Sequence, residues 1–105
     1  MDEICSVANF KTNSALLAAT YQYLAMESGH NISVCMPYAD SLRFISDWYC
    51  QLWAESLGKN VELDGTPCAK GQTPVKSLGV TDQHSQVQLY NEGPKDKVIT
   101  FIAVD

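Results

Sequence analysis

The feature that most constrains this chain is the order in which helical and extended patterns alternate along it. Leu16, Leu17, Tyr21 and Leu24 recur at helical spacing after the cap candidates Thr12 to Ser14, and Gly29 ends the segment. The apolar-rich run Asn31 to Met36, closed by Pro37, reads as a strand. Asp40 or Ser41 then caps a second helix with the stripe Leu42, Ile45, Trp48, Tyr49, Leu52 and Trp53, and Gly58 stops it. Residues 59–73, with Gly65, Pro67 and Gly71 and with Pro74 just beyond, read as a loop. Val75 to Leu78 predicts a short strand. Thr81 or Asp82 caps a third helix reaching Asn91, before Gly93-Pro94. Lys97 to Val104 is β-branched and almost continuously apolar, the pattern of a strand buried on both faces.

Helix and strand alternating in this way predict an α/β fold, a parallel sheet covered by helices and linked by right-handed crossovers. With 105 residues, 46% of them hydrophobic, the chain has material for one core, small enough to be marginal alone. Three strands make a thin sheet. The first helix has no strand before it and the last strand stops at the chain end, so the expectation is a larger sheet that has been cut.

Charge and composition remove several classes. A net charge of −5 with seven scattered basic residues is not a nucleic-acid footprint. No apolar run approaches the ~18 residues of a membrane span, and the N-terminus lacks the pattern of a signal peptide. Cys5, Cys35, Cys50 and Cys68 lie far apart without a C-x-x-C pair, so neither a zinc site nor a redox motif is written here. Cys35 and Cys50 read as small packed residues of a reduced compartment, which makes the cytoplasm the expected location. No metal or cofactor is called for.

Two stretches carry more than fold class. One is Met36-Pro37-Tyr38-Ala39-Asp40-Ser41-Leu42 with Asp47-Trp48-Tyr49-Cys50-Gln51-Leu52-Trp53-Ala54-Glu55-Ser56-Leu57-Gly58-Lys59. The other is Gly79-Val80-Thr81-Asp82-Gln83-His84-Ser85-Gln86-Val87-Gln88-Leu89-Tyr90 with Glu92-Gly93-Pro94. Both closely resemble phosphoglucose isomerases of the bacterial and archaeal type, and their order and spacing fit as well. The resemblance covers most of residues 31–105; the first 30 match only in helical character. It implies that the whole chain is a partial second sugar-phosphate isomerase (SIS) domain, a three-layer, flavodoxin-like parallel-sheet fold that is incomplete here.

In that family, the Glu of the E-S-x-G-K segment moves a proton between C1 and C2 of the sugar through a cis-enediol. This interconverts glucose 6-phosphate and fructose 6-phosphate in glycolysis and gluconeogenesis. Glu55 matches it. The His of the D-Q-H-S segment assists opening of the pyranose ring, and His84 matches that. Gln83 and Lys59 are candidates for lining the site or for supporting it, and Thr81, at a helix N-terminus, is a candidate for orienting the sugar. Cys50 departs from the basic residue that relatives commonly carry there.

The residue types suit the chemistry on their own terms. Proton abstraction beside a carbonyl needs a carboxylate lifted toward neutrality, and partial desolvation between Trp53 and Leu57 would lift Glu55. His84 falls in the first turn of a helix, where the positive end of the dipole favours the neutral ring. Glu55 ends a helix that returns from the first strand, whereas His84 follows the second strand. They therefore belong at opposite edges of the sheet. The family's His reaches the active site from the neighbouring subunit of a homodimer, so Glu55 of one chain is expected to face His84 of another.

Outside its motif, a Glu near a helix C-terminus is usually a solvated charge, and a His at a helix start is usually a cap or surface group. His30 has no motif and reads as a loop residue. Trp48, Tyr49 and Trp53 read as core or dimer packing rather than a sugar platform, and Thr81 and Asp82 as caps first. The family's Ser/Thr-rich phosphate loop, its G-G-R-[FY]-S segment and its C-terminal catalytic Lys do not occur in these 105 residues. Without a phosphate clamp, substrate positioning fails, so the chain alone is expected to be inactive. A non-catalytic SIS module binding sugar phosphates, and a purely structural piece, are the other readings.

Overall fold

The computed structural model describes residues 2–104. Helix α1 spans Asp2–Cys5 and α2 spans Ser14–Glu27. Asn13, 3% exposed, joins them. Its Nδ2 donates to the carbonyls of Cys5 and Val7, both at 2.9 Å, and its Oδ1 accepts from Leu16 N at 2.9 Å. One side chain thus closes the loop and caps the helix. Of the helical stripe read from the sequence, Leu16 and Leu17 are half-buried, but Tyr21 and Leu24 face outward.

Strand β1 covers Ile32–Pro37, helix α3 covers Arg43–Leu57, and a 3-10 turn at Asp40–Leu42 lies between them. Neither Asp40 nor Ser41 caps α3 with its side chain; Leu42 holds the cap position, and the 3-10 turn leads the chain in. The α3 stripe also divides. Ser46, Tyr49, Cys50 and Trp53, spaced i, i+3, i+4 and i+7, turn inward. Ile45, Trp48 and Leu52 turn out, with Trp48 61% exposed.

The interval 59–73 is not a loop. Lys59–Val61 (β2) and Pro67–Lys70 (β3) pair as an antiparallel ribbon, in register Lys59 to Lys70 and Val61 to Pro67. Asp64-Gly65 forms its turn. Gly65 adopts φ +86°, and Asp64 Oδ1 accepts from Thr66 N at 2.9 Å.

Strand β4 is Thr73–Lys76, starting two residues before the predicted run. Helix α4 is Gln83–Glu92 and strand β5 is Lys97–Ile102. The sheet is parallel, in the order β4-β1-β5. Because the chain steps from β1 to β4 and then back across β1 to β5, right-handed crossovers put α3 and α4 on opposite faces. Ser33 reaches both Gln22 of α2 (3.2 Å) and Tyr49 of α3 (2.6 Å), so these two helices share a face. Helices thus flank the three-strand parallel sheet on both faces.

The core is one strand deep. Val34, Cys35 and Met36 are the buried apolar residues, flanked by the equally covered Ser33 and Pro37. β5 has the sequence of a strand covered on both faces, yet it lies at an edge and Phe101 is 60% exposed.

Candidate functional site

Glu55 sits in the last turn of α3, and the fold fixes where that turn lies. Gly71, at φ +138°, brings the ribbon's exit against the helix end, so close that a Cβ there would meet Leu57 O at 3.2 Å. Two residues later β4 begins, so Glu55 belongs to the amino edge of the sheet. Its carboxylate is exposed and accepts from Gln51 Nε2 at 3.2 Å. Trp53 and Leu57 do not enclose it. Each is two positions away and so lies across the helix; Trp53 stacks on Tyr49 at 4.9 Å instead. The residues sharing the face of Glu55 are Gln51, Leu52 and Trp48, one and two turns back. Gln51 escaped the sequence reading, although its i−4 spacing was a visible signal.

Lys59 occupies the same end of the fold but points elsewhere: its Nζ donates to Ser56 O at 2.8 Å, tying down an orphan carbonyl of α3.

The other group gathers at the carboxyl edge. Gly79 N donates to Pro37 O at 2.9 Å, which pins the loop after β4 to the end of β1. Asp82 holds the cap position of α4, but its Oδ2 accepts from Leu78 N at 2.6 Å rather than from a helix N–H. It shapes the loop that delivers His84. His84, the second residue of α4, is exposed, beside half-buried Gln83 and exposed Thr81. Thr81 lines a cleft of about 410 Å³ with Arg43, Ser46, Asp47, Lys76 and Ser77. Lys76 donates to Asp47 there, and that ion pair raises the ammonium pKa.

β1 has six residues, which at ~3.3 Å each separate the two edges by roughly 17 Å. The structure therefore brings Glu55 near Lys59, and His84 near Gln83 and Thr81, but not the two groups together. His30 is structural: its ring meets Ala25 O at 3.2 Å, and its carbonyl accepts from Gln72 Nε2 at 2.7 Å. Cys35 is buried, and that burial pushes its thiol pKa up, with Cys50 beside it adding to the effect. Among the described residues, no three His, Cys, Asp or Glu side chains gather as metal ligands, and no helix is long and apolar enough to cross a membrane.

No protein-family profile matches the chain. Curated proteins do. It is 54% identical to the glucose-6-phosphate isomerase of Carboxydothermus hydrogenoformans, over 100% of this chain and 23% of that protein. It is 45% identical to the probable glucose-6-phosphate isomerase of Methanococcus maripaludis, over 100% of this chain and 22% of that one. Over its whole length, this chain matches a segment of glucose-6-phosphate isomerases. The glucose-6-phosphate isomerase of Methanocaldococcus jannaschii agrees, 47% identical over 97% of this chain and 23% of its own length. The fold agrees too. A crystal structure of a hypothetical protein from Thermus thermophilus superposes with a TM-score of 0.82 at 35% identity, covering 94% of this chain and 22% of that one. The chain thus spans less than a quarter of the length of the isomerases it matches.

Proposed function

We propose that this chain carries the two proton-transfer groups of a cytoplasmic glucose-6-phosphate isomerase of glycolysis and gluconeogenesis, as part of its second SIS domain. Glu55 is the base that shuttles a proton between C1 and C2 of the open-chain sugar phosphate, by way of the cis-enediol. His84 exchanges a proton at the ring oxygen when the pyranose opens. One observation carries this reading: the two groups matching the family's base and acid stand at opposite edges of one sheet. A homodimer resolves that separation, with Glu55 of one subunit and His84 of its neighbour completing each site.

The exposed position of Glu55 fits the same reading. A base that takes a proton from carbon needs desolvation. The outward stripe of Ile45, Trp48 and Leu52 leads to Glu55 along α3, so a surface laid on that stripe would dry the carboxylate. Gln51 then acts as a positioning residue, holding one carboxylate oxygen while the other meets the substrate. Thr81 and Gln83, beside His84, are placed to contact the sugar. Lys59 supports the helix end.

The chain alone lacks a phosphate clamp, and its turnover of fructose 6-phosphate is expected to be negligible. The test is a full-length chimera in which these 105 residues replace the matching stretch of the Carboxydothermus hydrogenoformans isomerase. Coupled to a dehydrogenase readout, the chimera is expected to isomerise fructose 6-phosphate, and Glu55→Gln to cost it about 10²- to 10⁴-fold in kcat. Unchanged kcat in that variant would remove Glu55 from the mechanism.

A further inference from the structure

The connection between β4 and α4 is held by one residue. Ser77 N donates to Cys35 O at 3.0 Å and Gly79 N to Pro37 O at 2.9 Å, so the chain stays on the β1 ladder past the end of β4. Backbone groups alternate sides along such a ladder, and those of Leu78 therefore point away from β1. Asp82 meets both of them. Its Oδ2 accepts from Leu78 N at 2.6 Å, and its own N donates to Leu78 O at 2.8 Å. The loop is thus closed at its base, on a residue whose two neighbours are bonded to β1.

The same residue starts the helix. Asp82 O accepts from Ser85 N at 3.3 Å and from Gln86 N at 2.9 Å, which builds the first turn of α4 around His84. An Asp at this position ordinarily turns its carboxylate forward, onto the amide of the second or third helical residue, here His84 or Ser85. This one makes no such bond and reaches back to the strand instead. The helix gives up a cap, and the joint between strand and helix gains a bracket. The place of that joint matters. In the order β4-β1-β5, α3 and α4 leave on opposite faces, so the carboxyl ends of β4 and β1 flank the point where the chain changes direction. Open α/β sheets bind ligands at such a point. The ring of His84 is exposed, so its position there comes from the backbone beneath it rather than from packing.

We infer that Asp82 is a positioning residue for ring opening: its bracket on Leu78 sets how His84 presents its imidazole to the ring oxygen of the sugar phosphate. The inference rests on the role given to His84 above and adds a residue to it. Without the bracket, the loop would be tied to β1 through Gly79 N and could pivot at that bond. A misplacement of ~1 Å in a reacting group can cost about a hundredfold in rate. The hydrogen bond carries the role rather than the charge, since a neutral acceptor at the same place would hold Leu78 N as well.

The test uses the chimera described above, with kcat and KM for fructose 6-phosphate measured below the melting temperature of every variant. Asp82→Ala is expected to lower kcat about 10- to 100-fold, with KM within about threefold of the unmutated value. Asp82→Asn keeps an acceptor for Leu78 N and should hold kcat within about threefold, with its pH profile unmoved. Asp82→Ala combined with His84→Ala should be no slower than His84→Ala alone, because a residue acting through His84 has nothing left to act on. A kcat for Asp82→Ala within about twofold of the unmutated chimera would overturn the inference. So would Asp82→Asn as slow as Asp82→Ala, or losses that multiply in the double variant. Each of those results leaves His84 in its role. Full activity in His84→Ala would instead remove His84 from the mechanism, and this inference with it.

Discussion

Gln51 donates from Nε2 to Glu55 Oε1 at 3.2 Å, one turn back along α3. The pair is the nearest polar contact of a carboxylate otherwise open to solvent, and it fixes which oxygen remains free. In the chimera, Gln51→Ala is expected to lower kcat by roughly tenfold with the pH profile of kcat displaced, because a charge-assisted hydrogen bond of about 1.5 kcal/mol is lost. Gln51→Glu should be worse, placing like charges one turn apart. Steady-state kinetics across pH checks this, and a change confined to KM would mean that Gln51 serves binding alone.

Asn13 makes three hydrogen bonds from a buried side chain, two to loop carbonyls and one to the first turn of α2. Asn13→Ala should destabilise the chain by about 2 kcal/mol, combining the lost cap with two stranded acceptors. Asn13→Asp should recover the cap but not the donors. Urea denaturation followed by circular dichroism reads the difference.

Gly79 packs against Tyr38, and a Cβ built on it would stand 2.6 Å from the ring. Gly79→Ala therefore forces the ring to move, at a cost of about 1 to 3 kcal/mol. The loop that delivers His84 shifts with it. In the chimera, this variant should lower kcat while Glu55 and Gln51 stay untouched, and the paired variant Tyr38→Ala should relieve part of the loss.

Burial raises the pKa of Cys35, Cys50 and Tyr49, in each case as the largest cause. A thiol held neutral in the fold ionises more easily in the unfolded chain. Above the ordinary thiol value of 9.0, the unfolded state therefore binds fewer protons, and stability falls as pH rises toward the folded values. Urea midpoints measured from pH 7 to 10.5 should decline above about pH 9. Cys35→Ala should flatten that decline while lowering stability at pH 7.

The parallel α/β order was legible because each helix and main strand carries its own periodicity and punctuation. What escaped the sequence reading depended on neighbours. The Asp64-Gly65 turn was a hairpin signal, but β2 and β3 are too short and polar for alternation to show. The α3 stripe looked like one face because Trp48 and Trp53 are equally apolar, and only packing shows which of them meets the sheet. Likewise Lys97 to Val104 reads as an interior strand, and within these residues it stands at an edge. For the candidate site, the motifs located Glu55 and His84, and chain direction alone placed them at opposite ends. The exposure of Glu55 was not legible, since flanking residues in sequence lie across the helix in space.

In the proposed dimer, Glu55 and His84 of one chain complete different active sites. Two chimeras, Glu55→Gln and His84→Ala, are each expected to be nearly inactive. Mixed one to one under conditions that exchange subunits, they form heterodimers in which one site holds both substitutions and the other holds none. The expected result is recovery of about a quarter of the unmutated chimera's kcat, the value for random pairing of two-fold symmetric subunits. A mixture no more active than the separate variants would place both residues in one chain's site and contradict it.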